Sequence, residues 1–346
     1  MSRISFGMLA GMACWNRWAG ALQRLLLATL AVSALLVVPQ AFSQKILTTI
    51  QIGGFTGQPA INTTTNMIYI PNQTTGAVAV INGQTNEIVT EIPVGPSIYA
   101  AAVNPKTNLI YVGGFSTSGY IAVIDGSSNT VTATIPVLVA GSIAVNPNTN
   151  LIYFSSGLGN VSVLDGATNQ VIDTIATSPG CCIQGIEVNA NTDRIYVAQI
   201  PLGQPCELAV IAGGNNKFSV ADFPQIDDLD AIAVDSGLNR VYLSDAGGNV
   251  VTVIDGTTGK IIKTILPGYF SPIALNPANH LVATFGYSAQ SESVFLAFES
   301  GLTYTPVGVQ VPFPKTTDPK QLISGVNNRY YVTFYQHDGV TVVSGP

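Results

Sequence analysis

One nonapeptide recurs through the chain at a nearly constant interval, and that repeat constrains the fold more than any other feature. Asn104-Pro105-Lys106-Thr107-Asn108-Leu109-Ile110-Tyr111-Val112 returns as Asn146-Pro147-Asn148-Thr149-Asn150-Leu151-Ile152-Tyr153-Phe154, and again as Asn189-Ala190-Asn191-Thr192-Asp193-Arg194-Ile195-Tyr196-Val197. Weaker copies run through Tyr69, Tyr242, Val282 and Tyr331. Seven copies at roughly 43-residue spacing fill the chain from residue 45 onward, leaving no length for a further domain. Each copy reads as four short strands. A small apolar run (Ser142-Ile143-Ala144-Val145) meets an Asn-Pro-x-Thr-Asn turn. Leu151-Ile152-Tyr153-Phe154 and Val161-Ser162-Val163-Leu164 follow, then an Asp-Gly turn and Val171-Ile172-Asp173-Thr174-Ile175. β-Branched and aromatic residues fill the strands, and Asn, Asp, Pro and Gly the turns.

A four-stranded unit repeated seven times predicts an all-β, seven-bladed β-propeller with antiparallel blades. The last copy stops after its third strand, Val340–Val343, while Lys45–Gly53 aligns with the fourth strand Glu87–Gly95. The N-terminal strand is therefore expected to complete the seventh blade and close the ring.

The region before the repeats reads differently. Arg3, Arg17 and Arg24 precede the uncharged run Leu25–Val38, too short for a comfortable membrane span, and Ala41-Phe42-Ser43 supplies small residues at a cleavage site. The expected division is a secretory signal over 1–43 and one propeller domain over 44–346, exported to the periplasm, the medium or the cell surface, with no membrane span after cleavage. The signal takes three Arg with it, so 13 Lys and Arg become 10 against 19 Asp and Glu, a formal charge of −9 in place of −6. That acidity argues against nucleic acid as a partner, since phosphate binding needs clustered Lys and Arg.

The Tyr-centred second strand together with Val123-Ile124-Asp125-Gly126 and Val253-Ile254-Asp255-Gly256 resembles the YVTN repeat of bacterial and archaeal β-propellers. Tyr69-Ile70-Pro71-Asn72 and Tyr331-Val332-Thr333-Phe334 depart from the signature, and the sixth copy carries Val282 where Tyr is expected. The resemblance covers 45–346 and implies exported surface or periplasmic proteins. The wider propeller group includes haem-, quinone- and lactone-processing enzymes, so fold alone does not carry function.

By propeller topology the loops from a fourth strand to the next first strand share one face with the loops between second and third strands. That face is expected to collect Tyr99, Tyr269, Asp227, Asp228, Asp230 and His337, an aromatic and acidic rim suited to a sugar, a peptide or a cation. Asp227-Asp228-Leu229-Asp230 offers oxygen ligands of the type Ca²⁺ takes, without the spacing of an EF-hand loop. Incidental solvated loops explain the same residues. Glu187 replaces Ala once on the strand lining the channel (Ile143-Ala144-Val145, Ile186-Glu187-Val188, Ile232-Ala233-Val234), where a carboxyl should be partly desolvated and its pKa raised. His280 stands in a turn where Asn is usual and reads as exposed and inert. No further His or Cys is spaced to build a zinc site, and no Gly-x-Ser-x-Gly, P-loop or His-Glu-x-x-His motif occurs.

Export permits a disulfide, and Cys206 is expected to pair with Cys181 or Cys182; a vicinal 181–182 bridge and a soft-metal site are the alternatives. The absence of a catalytic constellation favours a monomeric, non-catalytic binding module for a surface or periplasmic protein, a peptide or a glycan. A lactonase- or lyase-type enzyme using channel carboxylates, with or without a divalent cation, is the alternative.

Overall fold

The structure is a computed structural model. It describes residues 44–115, 118–178, 180–223, 225–226, 228–265, 270–288, 290, 293–314, 318–335 and 339–346. The segment 1–43 and the candidate residues Asp227, Tyr269 and His337 lie outside the described residues.

Seven four-stranded antiparallel sheets form the blades of a ring, with a single 3₁₀ turn at Val326–Asn328 among the described residues. The third blade shows the plan: Ile143–Asn146, Leu151–Ser155, Asn160–Asp165 and Gln170–Ala176, each paired with the next. The two middle strands are buried almost throughout, because both their faces pack against neighbouring blades. The outer strand is exposed over most of its length. In blades one, two, three and five the register slips by one residue between the third and outer strands. Such a bulge twists the outermost strand and blunts an edge that would otherwise template aggregation.

The inner strands of successive blades touch in order, and Pro319–Ser324 of the seventh contacts Ala60–Asn62 of the first. In the seventh sheet the outer strand is Ile46–Gln51, which pairs with Gly339–Ser344 from Ile46↔Val343 to Gln51↔Gly339.

The repeated tyrosine explains itself at the seams. Tyr69, Tyr111, Tyr153, Tyr196, Tyr242 and Tyr331 are all buried and share one register position. The hydroxyls of Tyr69, Tyr111, Tyr196, Tyr242 and Tyr331 reach toward the glycine-containing turn of the following blade. Tyr196 donates to the Gly256 carbonyl at 3.1 Å and Tyr331 to that of Gly83 at 3.3 Å. A Cβ on Gly126, Gly166 or Gly301 would lie 2.7–2.8 Å from the hydroxyl of Tyr69, Tyr111 or Tyr242. The glycine is thus required by close approach. In blade six the tyrosine position belongs to Ala283, which pairs with Ala274, and not to Val282 as the repeat alignment had it.

A second seam contact sits at the end of each inner strand. Asn62, Asn104, Asn146, Asn189 and Asn276 each accept, through Oδ1, an amide N–H two residues on. Each also donates through Nδ2 to the next blade: to Asn108 (2.6 Å), Asn150 (2.7 Å), Asp193 (2.7 Å), Asn239 (2.8 Å) and Asn328 (3.3 Å). The accepting residues all have left-handed backbone, φ 51–58°, which Asn and Asp tolerate. Between blades five and six the bridge is Asp235–His280, Nδ1 to Oδ2, 2.7 Å. A carboxylate cannot donate, so the hydrogen must come from the imidazole. His280, with φ 57°, is a seam residue and not an inert surface histidine. Between blades seven and one, Arg329 donates instead to the Gly83 carbonyl and to Asn86 Oδ1.

Asn104→Ala should leave buried groups unpaired and cost about 1–3 kcal/mol in urea unfolding. The double variant Asp235→Asn/His280→Asn should be less destabilising than the sum of its single changes, by a coupling of about 0.5–3 kcal/mol. Strict additivity would show that the two side chains do not bridge the seam.

Candidate functional site

The inner strands of blades one, four, five, six and seven enclose a cavity of about 510 Å³ along the central channel. Inner strands face the axis because each begins at one face of the ring and ends at the other, so residues far apart in sequence meet there. Gln58, Gln184, Asp230, Lys320, Gln321 and Tyr335 give the loop end a polar mouth. Farther along the wall come Ile61, Val234, Leu275 and Ile323, with Glu187 among them.

Glu187 lies on Cys182–Asn189, opposite Tyr196, in the register position that Ala60, Ala102, Ala144, Ala233, Ala274 and Ile323 fill in the other blades. Its carboxyl keeps some contact with the channel but is otherwise enclosed by protein. Desolvation pushes its pKa up to about 7, and the Val188 amide, which favours the charged form, only partly opposes this.

At the mouth, the Lys320 ammonium donates to the Thr56 carbonyl and lies 5.4 Å from the centre of the Tyr335 ring, a cation–π contact. Burial holds the Lys320 pKa below the ordinary lysine value. Burial raises that of Tyr335, with the charges of Asp318 and Asp230 adding to it.

Of the residues singled out from the sequence, the structure brings Glu187 and Asp230 to this cavity. Tyr99 is exposed on the loop face, its carbonyl accepting from the Gln58 amide, and is not part of the cavity wall. Asp228 is exposed in a turn where its amide donates to the buried Asp245. Among the described residues no three His, Cys, Asp or Glu side chains converge as a metal site would need.

The expected disulfide is not formed: none of Cys181, Cys182 and Cys206 is in a disulfide. Cys182 lies on the inner strand of blade four and Cys206 on the third, with Arg194–Ile200 between them. Two inter-strand spacings are about 9–10 Å, beyond the Cα separation a disulfide spans. Cys181 packs instead near Gly159 of blade three, and Cys206 in the apolar cluster of Leu208, Phe223 and Leu229. Burial, with Glu207 and Cys182 nearby, pushes the Cys181 thiol up to about 11.

The sequence reading missed Lys320 at the cavity mouth and a buried carboxyl, Glu299, that lies outside the cavity. Lys320 belongs to an irregular stretch of the last repeat, with no signal to mark it. Glu299 could have been found, because Phe298-Glu299-Ser300-Gly301 breaks the Val-Ile-Asp-Gly pattern. It occupies the register place of Ile81, Ile124, Leu164, Ile211 and Ile254, is 2% exposed, and burial lifts its pKa to about 7.

With this geometry in hand, comparison with solved structures defines the class. The chain has a seven-bladed β-propeller fold, similar to Kuenenia stuttgartiensis hydrazine synthase (14% identity, TM-score 0.69, 85% of this chain and 96% of that one). It is also similar to the Cps50 (Swd1) β-propeller domain of Myceliophteria thermophila (9% identity, TM-score 0.72, 88% and 100%). At these identities the likeness is one of fold. No family profile and no curated protein matches the chain.

A carboxyl whose pKa is higher folded than unfolded holds its proton better in the folded state. Its contribution is full below about 4.5 and is lost as pH rises through about 7. Turn hydrogen bonds depress Asp125 and Asp255, whose effects fall at lower pH. Urea midpoints should therefore be higher at pH 5 than at pH 8, and the double variant Glu187→Gln/Glu299→Gln should flatten the profile. A midpoint that climbs over this range in the wild type would contradict the desolvation of both groups.

The thiols give a separate check. Iodoacetamide in denaturant without reductant should label all three cysteines, and in native buffer Cys182 should react first because it alone is exposed. Recovery of a cross-linked peptide pair would reinstate the bridge.

Proposed function

We propose that the protein is an exported, YVTN-type interaction module that binds a surface or periplasmic protein, a peptide or a glycan through its loop face, without catalysis. The observation that carries this reading is a group of strongly exposed apolar side chains on the loops of one face. Leu202 is 84% exposed, Leu138 72%, Leu158 64% and Phe55 59%, and all four sit on loops of the same face, with Tyr99 and Tyr335 beside them. Leu138 and Gly157 are close enough that a Cβ on the glycine would touch Leu138, so the loops of blades two and three meet. The opposite face consists of tight polar turns fixed by the seam bridges, with Leu302 exposed in the turn of blade six, while the outer strands carry less exposed apolar side chains such as Ile88, Val171 and Ile261 around the rim. Apolar and aromatic groups gathered on one exposed face mark contact surfaces.

The enzyme reading has one observation in its favour: Glu187 titrates near neutrality inside a cavity, as a general acid–base group should.

Peptide and glycan arrays probed with wild type, Leu138→Ser/Leu158→Ser/Leu202→Ser, and the control Leu302→Ser separate these readings. Ligands found with the wild type should weaken at least tenfold for the triple variant (about 1.4 kcal/mol or more) and be unchanged for the control. Binding that tracks the control, or lactone turnover abolished by Glu187→Gln, would overturn the assignment.

A further inference from the structure

The channel holds a carboxyl, Glu187, and among the described residues the one cation on the cavity wall is Lys320. The titratable groups on the cavity wall are Glu187, Asp230, Lys320 and Tyr335. Lys320 and Asp230 precede Ile323 and Ala233 by three residues. These two share the register position of Glu187, so the mouth charges lie about 10 Å from it along the axis. The Lys320 ammonium is already engaged by the Thr56 carbonyl and the Tyr335 ring. The hydrogen bond that favours ionised Glu187 comes from the backbone amide of Val188. The inner strand of the preceding blade, Ile143–Asn146, carries no titratable side chain. At the level of the carboxyl the wall carries the aliphatic side chains of Ile61, Val234, Leu275 and Ile323 together with the polar Thr63 and Ser324.

We propose that the channel is a binding site for a slender organic cation, a primary ammonium on an apolar body, with its ammonium at Glu187 and its body along Ile61, Val234, Leu275 and Ile323. The chemistry follows from the wall. A charge-assisted hydrogen bond to an ammonium supplies what the isolated carboxyl lacks. Each methylene buried against the aliphatic wall adds roughly fourfold in affinity. The cavity volume, about 510 Å³, is in the range of small-ligand sites. Among the described residues Asp230 and Asp318 outnumber Lys320 at the mouth, and the chain as a whole carries a formal charge of −6, both of which draw in cations. An ammonium beside Glu187 also favours its ionised form, so binding near pH 6 must release a proton from the carboxyl to buffer. This site is separate from the exposed loop-face leucines, and its test needs no partner for that face.

The test is calorimetric titration of the purified protein with n-hexylammonium chloride, n-hexanol and sodium hexanoate. Hexylammonium should bind saturably, and the alcohol and the carboxylate at least tenfold more weakly. Glu187→Gln should lose at least tenfold for hexylammonium while its unfolding curve at pH 5 stays that of the wild type. In the wild type at pH 6 the binding heat should vary with the ionisation enthalpy of the buffer, reporting the released proton without any substitution. Hexanol binding as tightly as hexylammonium, a buffer-independent heat at pH 6, or no saturable binding of hexylammonium would each overturn the proposal.

Discussion

Five times around the ring, the asparagine that ends a blade's inner strand passes an amide hydrogen to the left-handed residue in the next blade's turn. The rest of the structure depends on that contact. A single four-stranded sheet with two apolar faces has no stable existence in water and must be covered on both sides. Apolar packing between blades supplies most of the stabilisation but little angular preference. The side-chain bridge is directional, and the tyrosine–glycine approach beside it fixes how far one blade stands from the next. Together they explain why Asn, Thr, Tyr and the turn glycine recur while the strand residues between them drift among Ile, Val, Leu and Ala.

This division of labour separates the two faces. Turns that carry the bridges are short, polar and repeated, so they cannot diversify without loosening a seam. The loops on the other face carry no such duty. They hold Phe55, Leu138, Leu158 and Leu202 in solvent and frame a mouth built from Gln184, Asp230 and Lys320. Recognition is therefore read into the face that architecture leaves unconstrained.

Much of the fold was legible from local signals: the Asn-Pro-x-Thr-Asn turn, strand-length apolar runs, and a recurring interval of roughly 43 residues. What stayed illegible was set by contacts between repeats. His280 looked inert because its partner, Asp235, lies 45 residues away in another blade, and the swap from amide–amide to carboxylate–imidazole shows only when both ends are seen. The cysteines shared a face of one blade, but the strand between Cys182 and Cys206 is a distance that sequence position does not report. The position that tyrosine fills elsewhere falls in blade six on Ala283 and not on its neighbour Val282, a register that strand pairing fixes and a run of apolar residues does not. Glu187 was visible as a break in an alanine column. Lys320 and its ring contact with Tyr335 were not, since nothing in the last repeat sets that lysine apart.

The central claim is that one face holds the ring together and the other is free to recognise. Native-state hydrogen exchange tests it most directly. The amides of Thr64, Lys106, Asn148, Asn191 and Ala278, each donated to a seam side chain, should exchange only through global unfolding, with the free energy of the middle strands. The amides of Leu138 and Leu202 on the loop face should exchange through local opening. Turn amides that exchange as fast as those loops, or blades that open one at a time, would contradict the account.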